Sequence, residues 1–229
     1  MRRTAALTGL IFVALSGSAQ VAVPQMPAAG APPAVVVSYI EANQQSLEWT
    51  WFLAGEVAWL FGLYFCAGLA VPLWNASRYR AATLLGLGGA VLTASLTISA
   101  SIPWGMLIYL GPQLTSGDLV LTLAESRHFA DAALSFSTAT MLLGFSIAAI
   151  GVPGDWFRAL ATGGLIATTF QLVHGGDHFI TFGQTGILPR LAPEVALAWI
   201  LAASVLMLGT PMHEAEPAHQ RNPVAEPTA

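Results

Sequence analysis

The chain contains no lysine, a single cysteine, and charged residues at only 9% of its 229 positions. Each shortage excludes something. Eight arginines without a basic run leave no electrostatic footprint for nucleic acid. The one thiol, Cys66 in Tyr64-Phe-Cys-Ala-Gly68, cannot close an intrachain disulfide and is expected to pack as a small hydrophobe. Soluble domains carry about 25% charged residues. With so little charge and 55% hydrophobic residues, this composition belongs to the membrane class, and the lipid bilayer is its first partner. Much of the net charge of -4 comes from the C-terminal tail, where Glu214, Glu216 and Glu226 lie.

Taken in order, residues 1–23 have a charged start, an apolar run and small residues near the end. That pattern fits a retained first transmembrane helix or a signal peptide, and both place Arg2 and Arg3 in the cytoplasm. The Pro-rich stretch 24–33 reads as an outer loop, and 34–46 as a short interfacial helix. A second span is expected over 47–74, with Trp49, Trp51 and Trp74 in the aromatic belts and Glu56 about two turns inside. Arg78 and Arg80 make the next loop cytoplasmic. The third span, 81–101, carries Gly86, Gly88 and Gly89 as a surface for close helix packing, and Pro103-Trp104 should end or kink it. Residues 111–125 read as a second outer loop with room for a short interfacial helix after Asp118, 127–150 as the fourth span, 159–180 as the fifth and 181–193 as a third outer loop. The sixth, 194–208, is short for a crossing unless it starts before Pro193. Residues 210–229 have the composition of a disordered cytoplasmic tail, in which His213 and His219 are solvated.

The sequence thus predicts an all-α polytopic transmembrane helix bundle of about six spans, or five if the leader is cleaved. Residues 24–209 form the bundle proper. The expected location is the inner (plasma) membrane, with both termini cytoplasmic if the first helix is retained.

Six ionisable residues fall in the outer third of that topology: Glu56, His128, Asp131, His174, Asp177 and His178. Charge at membrane depth is costly unless paired or wetted, so these groups should face the bundle interior or water. The reading favoured by their nearness to the interface is structural, with the groups neutralising one another in a hydrogen-bonded cluster. A second reading is a divalent transition-metal site built from His128, Asp131, His174, Asp177 and His178, since neutral imidazoles suit Zn, Cu, Fe or Ni. A third is a b-type haem or quinone pocket with His128 and His174 on adjacent antiparallel helices. A fourth is a proton or small-solute pathway, as in a permease component, through Glu56 and Asp131. Ser135, Ser137 and Thr138 share a helix with His128, yet hydroxyls in spanning helices mostly serve packing. No residue is singled out as catalytic.

Several segments together resemble a set of uncharacterised bacterial six-helix integral membrane proteins. They are the early hydrophobic segment, Val36-Val-Ser-Tyr-Ile-Glu-Ala-Asn-Gln44, the small-residue span 81–101, Glu125-Ser-Arg-His-Phe-Ala-Asp131 and Gly186-Ile-Leu-Pro-Arg190. The resemblance implies a six-helix inner-membrane bundle with no established activity; apart from it, a homo-oligomer or a complex with a membrane partner protein is the expected assembly. His174-Gly-Gly-Asp-His178 is not part of the shared pattern.

Overall fold

The computed structural model describes residues 2–24, 26–181 and 188–209, and the side chains of these except at 178–181 and 188–190. The architecture is all-α, with no strand among the described residues. The helices are α1 (Arg2–Ala22), α2 (Pro33–Thr50), a π-helical segment (Trp51–Val57), α3 (Ala58–Ala76), α4 (Arg80–Leu110), α5 (Gly117–Ile150), α6 (Asp155–Thr181) and α7 (Leu188–Gly209). A single 3-10 turn, Gly111–Gln113, joins α4 towards α5.

Five stretches are long and apolar enough to cross a membrane: α1, the continuous Pro33–Ala76, Arg80–Gln113, α5, and Leu191–Gly209 within α7. At 27 residues α6 is also long enough, about 40 Å at the helical rise. Its Thr162, Thr168, Thr169, Gln171 and His174 dilute the apolar character. Helices α1, α3, α4, α5, α6 and α7 pack in that cyclic order, α7 returning to α1, and so close a six-membered ring.

Several expected boundaries move outward. The interfacial helix and the second span are one continuous helix of 44 residues, wound through the π segment. Pro103 does not end α4, which runs on to Leu110. A proline removes one backbone hydrogen bond, and burial of Leu107 and Ile108 against the α2 residues Val36 and Ile40 holds the extra turns. Of the expected loop 111–125, the helix allowed after Asp118 is there from Gly117 and is continuous with the fourth span, because Ser116 caps the start of α5 by accepting from the Leu119 amide at 3.4 Å. Asp118 complements the helix dipole there, and Val120, Leu123 and Ala124 find apolar partners. The last span likewise starts earlier than 194, at Leu188, with Pro193 inside the helix. The expected tail 210–229 lies outside the described residues.

These lengths create two layers with different physics. At 34 residues α5 is about 51 Å long, against a hydrocarbon core of about 30 Å. The surplus falls at one end, because the short links at 77–79 and 151–154 close the other. Inside the ring, Phe65, Phe145, Leu69, Met141, Leu142 and Met207 are fully buried, and Phe145 stacks on Trp199 at 6.5 Å. Lipid is as apolar as leucine, so close packing rather than water exclusion must hold this layer. Accordingly a Cβ on Gly144 would collide with the backbone of Gly86, and one on Gly89 with that of Met141; Gly88 faces open space and takes no part. Beyond the ring, α2 with the ends of α4 and α5 forms a cap with its own core of Val36, Ile40, Leu47, Leu107, Ile108, Val120, Leu123 and Ala124. Side chains of this size contribute about 1.5–3 kcal/mol each when they are withdrawn from water. The 23–32 segment is tied onto the cap by the Tyr39 hydroxyl donating to the Pro24 carbonyl at 2.7 Å. A second tie is the Gly30 amide donating to Glu125 Oε1 at 2.6 Å, from a φ of 76° that favours glycine.

Candidate functional site

Polar residues towards the cap end of the bundle form a girdle of hydrogen bonds between neighbouring helices. It begins in the π segment. In an α-helix Trp51 and Glu56, five residues apart, would project about 140° from one another. Winding with i→i+5 bonds brings such residues towards one face, and both reach a single α4 residue. The Trp51 indole donates to the Ser101 carbonyl at 3.0 Å, and the Ser101 hydroxyl donates to Glu56 Oε1 at 2.6 Å. Gly105 makes room for the indole, since a Cβ there would sit 3.1 Å from it.

The next link runs from α4 to α5, where the Thr93 hydroxyl donates to Ser137 Oγ at 2.9 Å. Between α5 and α6, Ser135 Oγ meets His174 Nδ1 at 2.8 Å, with both side chains buried. Ser135 Oγ also lies 2.8 Å from the Asp131 carbonyl. When its one hydrogen goes to that carbonyl, the imidazole must donate from Nδ1 and Nε2 is the unprotonated nitrogen. Gly175 lets the helices approach here, and Gly164 does the same against Ser146 further along. Between α6 and α7, buried Gln171 donates to the Ala192 carbonyl at 2.8 Å; nearer the opposite end of the bundle the Trp199 indole donates to the Leu160 carbonyl at 2.9 Å.

Of the sequence-nominated residues, Glu56 and His174 are in the girdle. Asp131 touches it through its carbonyl, while its carboxylate pairs with Arg127 at 3.0 Å on a surface about a third exposed. Such exposed i,i+4 pairs contribute about 0.3–0.5 kcal/mol. Glu56 and Asp131 are therefore held by different partners. His128 is partly buried and lies seven residues before Ser135 on α5. The α5/α6 register set by Ser135 against His174 and by Ser146 against Gly164 thus puts His128 about 10 Å further out than His174. That offset does not suit axial ligation of one haem by the two histidines, which sequence spacing alone put at similar depth. Asp177 is partly buried one turn beyond His174. Among the described residues no three His, Cys, Asp or Glu side chains converge on a metal position; the side chain of His178 lies outside the described residues. Ser135 and His174 make a serine–histidine contact, but at 4% and 5% exposure neither is open to a substrate. The Tyr39 phenol, in the cap, is pushed up to about 12 by burial, with the Arg127 charge pulling it back.

Sequence reasoning missed Ser101, Thr93 and the interhelical role of Trp51. A serine two positions before an intrahelical proline, in a chain with a carboxylate inside the neighbouring span, was the available signal for the first. No family model, curated protein or solved structure matches the chain. What fold and site define is a class: a multi-pass α-helical membrane protein whose cap-side half is stapled by interhelical hydrogen bonds and crowned by a helical cap.

Proposed function

We propose that the chain works as a membrane-embedded assembly scaffold, presenting its cap and the adjoining face of α4 to a second copy or to another membrane protein. The observation that carries this reading is the girdle. Of the groups that would otherwise suggest chemistry or transport, Glu56 and His174 bond across the π segment–α4 and α5–α6 seams, and Thr93 and Gln171 do the same at α4–α5 and α6–α7. The aromatic filling of the ring supports it too, since Phe12, Phe65, Phe145 and Trp199 are buried where a passage would need space. A presenting surface is at hand. Ile98, Ile102, Met106, Tyr109 and Leu110 are exposed along α4 and continue past the length that the hydrocarbon core requires.

The inner membrane is the proposed site, with the termini in the cytoplasm. Arg2, Arg3, Arg78, Arg80 and Arg158 lie at the end of the bundle that holds the N terminus, against Arg127 and Arg190 at the other, which follows the positive-inside rule. The resemblance to six-helix bacterial membrane proteins belongs to the same proposal. A second reading rests on Glu56, a half-buried carboxylate in a π segment, the kind of local winding that recurs at functional sites. Here Glu56 takes up and releases a proton at the outer boundary.

Photo-crosslinkers placed at Met106 and Tyr109 test the scaffold reading in native membranes, with the same probe at Leu84, near the opposite end of α4, as the comparison. Crosslinking to a discrete partner or second copy from Met106 and Tyr109, and none from Leu84, is expected. Absence of any crosslinked species would overturn it. Proton or solute flux by the purified protein in liposomes, abolished by Glu56→Gln with unchanged thermal stability, would replace it with the second reading.

A further inference from the structure

Resting on the second reading above, in which Glu56 exchanges a proton, we infer that this carboxyl group holds its proton in the folded bundle and donates it to Ser101 Oγ. The contacts around that one oxygen decide the matter. Ser101 Oγ lies 2.6 Å from Glu56 Oε1 and also 2.6 Å from the Ile98 carbonyl. Each distance is that of two oxygens with a hydrogen between them, and length alone does not tell donor from acceptor.

A serine hydroxyl has a single hydrogen to give. With Glu56 ionised, that hydrogen fills one contact, and the other sets lone pair against lone pair at 2.6 Å. With Glu56 protonated, the carboxyl supplies the second hydrogen: it donates to Ser101 Oγ, and Ser101 donates to the Ile98 carbonyl. That last bond is the habit of serines in these helices, since Ser126 and Ser137 also donate to the carbonyl three residues back. The contact between Thr93 and Ser137, at 2.9 Å, is long enough for a hydrogen shared in a three-centre bond. Two contacts of 2.6 Å to one hydroxyl oxygen are not.

Among the described residues, the elements packed on the π segment, which are α1, α2, α3 and α4, bring no cation to Glu56. Arg2 and Arg3 are the charged residues of α1, and they lie beyond Ala5, which meets Gly68, twelve residues past Glu56. Arg80 is the one charged residue of α4 and stands twenty-one residues before Ser101, about 30 Å along the helix. Tyr109, also of α4, is edge-on to Trp51. Helix α3 has Tyr64 and Cys66 but no charge, and α2 brings Tyr39 with Glu41 and Glu48, whose sign is that of Glu56 itself. Charge at membrane depth is costly unless paired, and a neutral carboxyl avoids that cost.

Infrared spectroscopy of the full chain in lipid bilayers at neutral pH reads the proton directly. The difference between wild type and Glu56→Gln should contain the carbonyl stretch of one protonated carboxyl group. The glutamine amide also donates, so this variant keeps the bond to Ser101, and isotope-labelled glutamate in wild type gives the same band without any substitution. Ser101→Ala should shift the band to higher frequency, because the acid loses its acceptor. A labelled wild type with no protonated glutamate, or a band that survives Glu56→Gln, would overturn the assignment. A band that persists as the pH is raised, with no proton flux in liposomes, would keep the bound proton and remove the exchange reading. Flux abolished by Glu56→Gln in a protein without the band would keep exchange and overturn the bond proposed here.

Discussion

The seam between α5 and α6 gives the most direct test of the girdle, through a double-mutant cycle on Ser135 and His174. Their contact is 2.8 Å long and both side chains are at least 95% buried, so neither can exchange its partner for water. Interhelical hydrogen bonds in membrane proteins average about 0.6 kcal/mol and reach about 1.7. The burial here argues for the upper half of that range, about 1–1.7 kcal/mol of coupling. Ser135→Ala alone turns a methyl towards Nδ1 and should cost about 1–3 kcal/mol, the range for a buried polar group deprived of a partner. His174→Ala costs more, because it also empties the volume of the ring beside Gly175. The double variant should then be less destabilised than the sum of the two by the coupling energy. Reversible unfolding in mixed micelles, followed by tryptophan fluorescence, measures all four corners. Coupling within about 0.3 kcal/mol of zero, the scatter expected of independent sites, would show that this pair is not a staple and would remove the central link of the proposed scaffold.

Two further outcomes follow from the same coordinates. Gly144→Ala should destabilise the bundle by about 1–3 kcal/mol, as overpacking does, because its Cβ meets the Gly86 backbone, whereas Gly88→Ala should be neutral or stabilise by up to about 1 kcal/mol through helix propensity; equal effects in thermal melts would refute the α4/α5 crossing. In the cap, the Tyr39 phenol is raised from its ordinary 10.0 to about 12, so the folded state holds this proton more tightly than the unfolded one. The stability it contributes is complete below pH 10 and is lost as the pH rises from about 10 to about 12. Melting curves of wild type and Tyr39→Phe should converge over that interval, and a gap that stays constant would count against burial of the phenol.

The ring was legible because its signals are local. Apolar runs of membrane length and the glycines Gly86 and Gly89 give the helix count and one crossing of the spans without reference to distant partners. The cap was not, because its helices are stabilised from outside themselves. Residues 34–46 were legible as a helix and 117–125 mainly as loop, but neither segment shows that it packs into a shared core, where Val36 and Ile40 meet Leu107, Val120 and Leu123 from elsewhere in the chain. The site followed the same division. Glu56 and His174 stood out as ionisable residues in apolar segments, whereas Thr93 and Ser101, which bond across a seam, look like any small hydroxyl residue in a spanning helix.

The π segment lies where these two regimes meet. Below it the helices gain nothing from excluding water and rely on close contact and hydrogen bonds; above it, burial of apolar side chains drives the cap together. A single helix running from Pro33 to Ala76 must present one face to the cap core and another to the ring. The faces need not be in phase for uniform α winding. Widening the turn over seven residues changes the phase between them, and turns Trp51 and Glu56 together onto Ser101. The girdle begins at that point for the same reason, since polar side chains there are too deep to count on bulk water and too near it to be replaced by packing alone. Removing one residue from the segment, for instance Leu53, should therefore uncouple the layers: with α winding restored, either the Trp51–Ser101 bond or the cap core is lost. Proteolysis of the cap while the membrane-embedded ring stays intact is the expected readout. A deletion variant as protease-resistant as wild type would mean that the cap and ring are in phase without the π segment.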